Sequence, residues 1–243
     1  MGTSGFSYPE WKGHFYPAKL PARGMLPYYA ERLGTVELNN TFYRLPSTSL
    51  LEGWRGAVPQ GFSFAVKAPR RITHFQKLRE TDELVAHFFG LLEALGPTLG
   101  PVLFQLPPTF RADIDVLRSF LSLLPSQVRA AFEFRHPSWF EDSVYASLEA
   151  GGAALVGGDV DDDEKSPPLV RTADFAYLRL RQTTYEPAEL EDWARRVRDL
   201  GVADVFVYFK HEVLAPERAT LFRALLAECG ALGGGARRLR RGK

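Results

Sequence analysis

Charged side chains recur near the ends of short apolar stretches in this 243-residue chain, and their types define the chemistry within reach. Glu37, Glu133 and Asp159 are the acids; Lys67, Arg135, Arg179, Arg181 and Lys210 are the cations. The surplus of cations favours an anionic ligand, most simply a phosphate or carboxylate held by arginine forks. Glu133 is the candidate general acid or base, with Lys67 and Arg135 tuning its pKa and neutralising developing charge; Glu37 is the second carboxylate. A glycosidase pair would need its carboxyl groups ~5–5.5 Å apart for retention or ~6.5–9.5 Å for inversion. Metal-assisted hydrolysis would draw on His74, His136 and His211 with the acids, yet His136 and His211 fall on the opposite strand parity. No metal and no cofactor is therefore assigned.

Those residues need elements to position them. Eight short apolar segments, at 2–6, 35–42, 62–69, 101–108, 130–136, 154–160, 175–181 and 204–211, read as strands. Amphipathic stretches with helical spacing lie between them. They end at Gly34, Gly96, Pro125, Gly151, Gly201 and Gly230. Strands alternating with helices imply parallel βαβ units, and eight of them in this length fit a single TIM-type (β/α)8 barrel. An open doubly wound sheet is the alternative, but no GxGxxG turn follows the first strand. Two βα connections are irregular, SYPEWKGHFYPAKLPAR after the first strand and DVDDDEKSPPLVRTAD after the sixth. The barrel domain is assigned to 1–232 and a flexible basic tail to 233–243.

In such a barrel one strand parity packs on the helices and the other points inward. Val36, Leu38, Phe64, Val66, Phe132 and Phe134 make the outer set. The inward set then carries Glu37, Asn39, Lys67, Gln105, Glu133, Arg135, Arg179, Arg181, Tyr208 and Lys210, with Asp159 closing the sixth strand. All lie late in their segments, where TIM barrels hold their catalytic groups. Trp11 and Trp139, each directly after a strand, and Tyr43 are candidates for stacking on a sugar or base.

The bounds are those of a globular, cytoplasmic protein. The formal net charge is +1, the hydrophobic share is 45%, and no run approaches the ~18 apolar residues of a membrane helix. A single cysteine, Cys229, excludes an internal disulfide framework and a cysteine-built zinc site.

The motifs GTSGFSYPEW, VELNNTFYRLPS, FAVKAPRRITH, LFQLPPTF, FEFRHPSWF and VYFKHE resemble the YecE-like family, domain of unknown function 72. The resemblance runs from Gly2 to about residue 229 and implies a TIM-type barrel but no established reaction. Its polar positions match at Glu37, Asn39, Thr41, Phe42, Tyr43, Lys67, His74, Gln105, Glu133, Arg135, His136 and Trp139. A Phe-Asn-Asn or Phe-Asn-Asp stretch common in the family is replaced here by Phe209-Lys210-His211-Glu212, which implies a more acidic ligand. The expected function is an enzyme or binder of a phosphate-like or sugar-phosphate-like ligand at the barrel mouth. The alternative is a nucleic-acid binder or processing enzyme using the basic mouth and the RRLRR tail.

Overall fold

The computed structural model describes residues 1–160, 166–210 and 212–235. Its strands are β1 (Gly2–Thr3), β2 (Thr35–Leu38), β3 (Ser63–Lys67), β4 (Leu99–Gln105), β5 (Ala130–Glu133), β6 (Ala154–Asp159), β7 (Phe175–Leu180) and β8 (Asp204–Phe209). They pair in parallel in the order β1-β8-β7-β6-β5-β4-β3-β2. The ring closes where Ser4 bridges Glu37 and the Gly5 N–H donates to the Glu37 carbonyl at 2.9 Å. The TIM-type barrel expected from the alternation is the fold observed.

The α-helices among the described residues are α1 (Met25–Ala30), α2 (Thr48–Gly56), α3 (Asp82–Leu92), α4 (Ile114–Leu123), α5 (Asp142–Ala150), α6 (Pro187–Asp199) and α7 (Ala215–Gly235). The apolar spacing anticipates all of them except α2. The signal for α2 is Ser47, whose hydroxyl accepts from the Leu50 N–H at 3.3 Å as an N-cap. In α4 the Asp113 carboxylate caps the Val116 N–H at 3.1 Å, and Leu117 and Phe120, three apart, turn to the sheet. Phe120 meets Phe104 and Phe132 at centroid distances of 5.1 and 6.2 Å. Truncating a ring as buried as Phe132 costs about 3–5 kcal/mol. Residues 233–235 continue α7, whereas a tail was expected from 233; residues 236–243 lie outside the described part.

The outer parity forms one large core with the helices, as expected for Val36, Leu38, Phe64, Val66, Phe132 and Phe134. The inner parity forms a separate core of Ala65, Leu103, Ala131, Ala154, Val156, Phe175, Tyr177 and Tyr208. Small residues on β3, β5 and β6 share the barrel interior with large rings on β7 and β8, so unequal volumes complement one another there. Above that plug, towards the strand C-termini, the inward positions become charged.

Candidate functional site

Arg179, the fifth residue of β7, is the centre of the mouth. Its Nη2 donates to Glu37 Oε1 at 2.9 Å and its Nη1 to Glu133 Oε2 at 2.5 Å, so one guanidinium ties β2 to β5. Arg179 is 8% exposed, Glu37 0% and Glu133 2%, so these charges meet almost without water. Glu37 Oε1 also accepts from the Ser4 hydroxyl at 2.8 Å and Asn39 Nδ2 at 2.9 Å, while Oε2 takes the Tyr177 hydroxyl at 2.7 Å. Glu133 Oε1 accepts from Gln105 Nε2 at 3.0 Å and Arg135 Nε at 3.1 Å, and lies 3.4 Å from Arg181 Nη1.

Electrostatics follow from that geometry. Burial pushes both carboxyls up, but Arg179 and the surrounding donors outweigh it, holding Glu37 and Glu133 below the usual carboxylate range. Burial opposes the Arg179 charge too, and the two glutamates overcome it, so its pKa is raised. Both acids thus stay ionised at neutral pH with their oxygens engaged. A group so held is a poor carrier of protons.

Lys67 is in the opposite condition. It ends β3 with Nζ 4.1 Å from the Phe42 ring centroid, and among the described residues it forms no ion pair. Burial and then the Arg179 charge lower its pKa to about 8, against the pull of Glu133 and Glu37. The Thr41 hydroxyl donates to the Lys67 carbonyl at 2.6 Å, locking the loop after β2 to the end of β3. His74 lies in a π-helical turn, Arg71–Phe75, with Nδ1 2.9 Å from the Thr73 hydroxyl and its ring 4.9 Å from Phe42. Burial, then Lys67 and Arg135, lower its pKa.

Glu37, Asn39, Lys67, Gln105, Glu133, Arg135, Arg179 and Arg181 are therefore brought together, with His74 and Tyr43 on the rim. Other candidates are placed elsewhere. Trp139 is fully buried, stacked on Phe134 at 4.4 Å, and its indole N–H donates to the Phe110 carbonyl at 2.7 Å. Trp11 is equally buried among Tyr8, Phe15 and Tyr16, with its N–H 3.1 Å from the Glu212 carbonyl. Neither offers a face to a ligand; both fasten loops. Tyr208 belongs to the inner plug, its hydroxyl 2.8 Å from Thr35 Oγ1. Lys210 pairs with Glu212 at 3.0 Å rather than with the central network.

Asp159 has the parity opposite to the inward Ala154 and Val156, so it faces the helix layer. Its Oδ1 accepts from the Arg181 N–H at 2.7 Å, the Gln182 N–H at 3.4 Å and the Tyr185 hydroxyl at 2.6 Å. It shapes the turn after β7. The inward neighbour is Gly158, at φ 146°, where an added Cβ would stand 2.1 Å from the Arg179 carbonyl. Sequence reasoning misses Gly158 and Ser4 as site residues. A glycine inside a strand is itself the sign of a close backbone approach.

Among the described residues no group of three His, Cys, Asp or Glu is placed to hold a metal ion. His136 instead accepts from the Ser138 N–H at 3.2 Å as a cap. His211 and residues 161–165 of the acidic connection lie outside the described part. No described helix is long and apolar enough to cross a membrane.

Comparison with known proteins agrees with this architecture. The model of the family described as "Protein of unknown function DUF72" matches residues 1–237. UPF0759 protein YunF of Bacillus subtilis is 30% identical, covering 83% of this chain and 86% of that protein. UPF0759 protein YecE of Escherichia coli K12 is 33% identical over 141 residues, so the match spans 58% of this chain and about half, 49%, of that relative. The crystal structure of a DUF72 family protein, TM1631 of Thermotoga maritima, superposes with a TM-score of 0.82 at 28% identity, covering 93% of this chain and 98% of the other. With its barrel, its motif order and a family match along nearly its whole length, this chain belongs to the DUF72 family.

Proposed function

We propose that the barrel mouth takes a phosphate-bearing anion and that Lys67 is the group that gives or takes a proton there. The observation that supports this reading is the charge left after pairing. Arg179 joins both buried carboxylates, and Arg135, Arg181 and Lys67 still surround them. Four cations against two anions leave a positive recess whose arginines are partly open to solvent, at 37% for Arg135 and 23% for Arg181. Guanidinium forks with unused N–H groups suit the paired oxygens of a phosphate. Lys67, near pH 8, is divided between amine and ammonium close to neutrality, the condition for proton transfer in either direction. Glu37 and Glu133 serve in this reading as the charges that hold Arg179 in place.

The test is a thermal-shift titration with inorganic phosphate and sugar phosphates. At a hundred times the dissociation constant a ligand adds ~2.7 kcal/mol, which for a chain of this size is a rise of about 5–10 °C. Arg135→Ala should lose most of that rise. If no phosphate compound raises the melting temperature of the unsubstituted protein, the reading is lost. A second reading, in which the phosphate belongs to a nucleic acid, draws on Arg44, Arg70 and Arg71 beside the mouth.

A further inference from the structure

The loop after β2 and the turn after β3 leave two rings in water that a folded protein would ordinarily cover. Tyr43 is 71% exposed and Phe75 68%, the most exposed large aromatic side chains among the described residues. Between them stands the Arg70 guanidinium, 5.8 Å from the Tyr43 ring and 5.2 Å from that of Phe75. These groups border a groove whose other walls include Arg44, Arg71 and His87, with no acidic residue in its lining. The groove is not remote from the mouth. Lys67 Nζ lies 4.1 Å from the Phe42 centroid, and Phe42 lies 5.0 Å from Tyr43, edge to face, so one ring separates the recess from the rim.

The rim is also held in place. Thr41 is bonded to the end of β3, and the turn carrying Phe75 is followed by three non-glycine residues at positive φ, Lys77, Leu78 and Glu80. Each such residue stores backbone strain, which persists only where its surroundings impose it. Leu78 supplies part of that constraint, since it is buried and its N–H donates to the Ile72 carbonyl at 3.0 Å.

We propose that this rim is a stacking platform for the bases of a single-stranded nucleic acid, with one of its phosphates in the recess of Arg135, Arg181 and Lys67. The inference rests on the phosphate reading and names its substrate class. Three arginines without an acid fit a polyanion, and two open rings fit unpaired bases, the combination by which single strands are held without sequence readout. The open rim suits a strand passing across it better than an enclosed mononucleotide. A duplex, whose bases are already stacked, would gain nothing from Tyr43 and Phe75.

The experiment is fluorescence anisotropy with labelled single-stranded DNA and RNA oligomers, repeated at low and moderate salt and with inorganic phosphate as competitor. Binding of either oligomer, weakened by salt and by phosphate, is expected. Tyr43→Ala and Phe75→Ala should each weaken it about 5- to 100-fold, and Tyr43→Trp should restore it. Both side chains are exposed, so these variants should melt with the parent. Arg135→Ala should weaken oligomer and phosphate binding together. If phosphate binds while oligomers do not, or if the two alanine variants bind oligomers as the parent does, the platform is refuted and the phosphate reading stands. Equal affinity for duplex and single strand also refutes it. If phosphate itself fails to bind, the underlying reading falls with it.

Discussion

Removing the guanidinium of Arg179 is the sharpest probe of the mouth, because the structure says which carboxylate suffers. In Arg179→Gln, Glu133 keeps Arg135 and Arg181, whereas Glu37 keeps only the neutral donors Ser4, Asn39 and Tyr177. One fully buried carboxylate thus loses its cation. Breaking a buried pair from one side costs about 3–5 kcal/mol, and the surviving hydrogen bonds place this case near the lower figure. A loss of about 3 kcal/mol lowers the melting temperature by about 6–12 °C in a chain of this length. The pH dependence carries the signature. In the parent both glutamates have depressed pKa values, so their contribution is fully present above the ordinary ~4.3 and fades as pH falls through the lower folded values. In the variant burial acts on Glu37 without Arg179, its pKa rises, and lowering the pH stabilises the fold by protonating it. The deficit measured by urea unfolding should therefore shrink between pH 7.5 and pH 5, and the added change Glu37→Gln should recover part of it. A deficit under about 1 kcal/mol, or one that stays constant with pH, would refute the account of Arg179 as the shared counter-ion.

Lys67 and Gly158 carry the remaining expected outcomes. Lys67→Met should weaken phosphate binding about 10- to 100-fold at pH 7, the worth of a charge-assisted hydrogen bond, and abolish the fall in affinity that the parent shows as pH rises through about 8. Because the folded pKa of Lys67 is lowered, the unliganded parent should gain stability between about pH 8 and the ordinary ~10.4, and the variant should lack that gain. Gly158→Ala should cost about 3 kcal/mol or more in urea unfolding, since its Cβ would collide with the Arg179 carbonyl at a φ that side chains disfavour.

The barrel was legible because its two parities differ in chemistry. Each of the eight apolar segments overlaps an observed strand, and each runs past its C-terminal end. The ladder stops where the chain turns out to deliver Asn39, Arg135 and Lys210, and alternation alone does not mark that point. The central charges could be read because Glu37, Lys67, Glu133, Arg179 and Arg181 keep inward parity along their strands. Asp159 could not, since β6 has glycine at the inward position and the polar residue sits beside it. The tryptophans were misplaced for a different reason. Position after a strand says nothing about exposure, which is decided by partners as distant as Phe110 and Glu212.

The seam between Ser4 and Glu37 ties the charge network to the closure of the barrel. Glu37 and Glu133 are contributed by the first five strands, and the arginine that reconciles them arrives only with β7. Without β7, Glu37 would lack the cation that pairs with it in the finished fold. Closure then joins β1 to β8 across nearly the whole chain, and Ser4, just after β1, bridges Glu37 of β2, the residue that also holds Arg179. The same bonds that shape the mouth thus also fasten the seam that shuts the barrel.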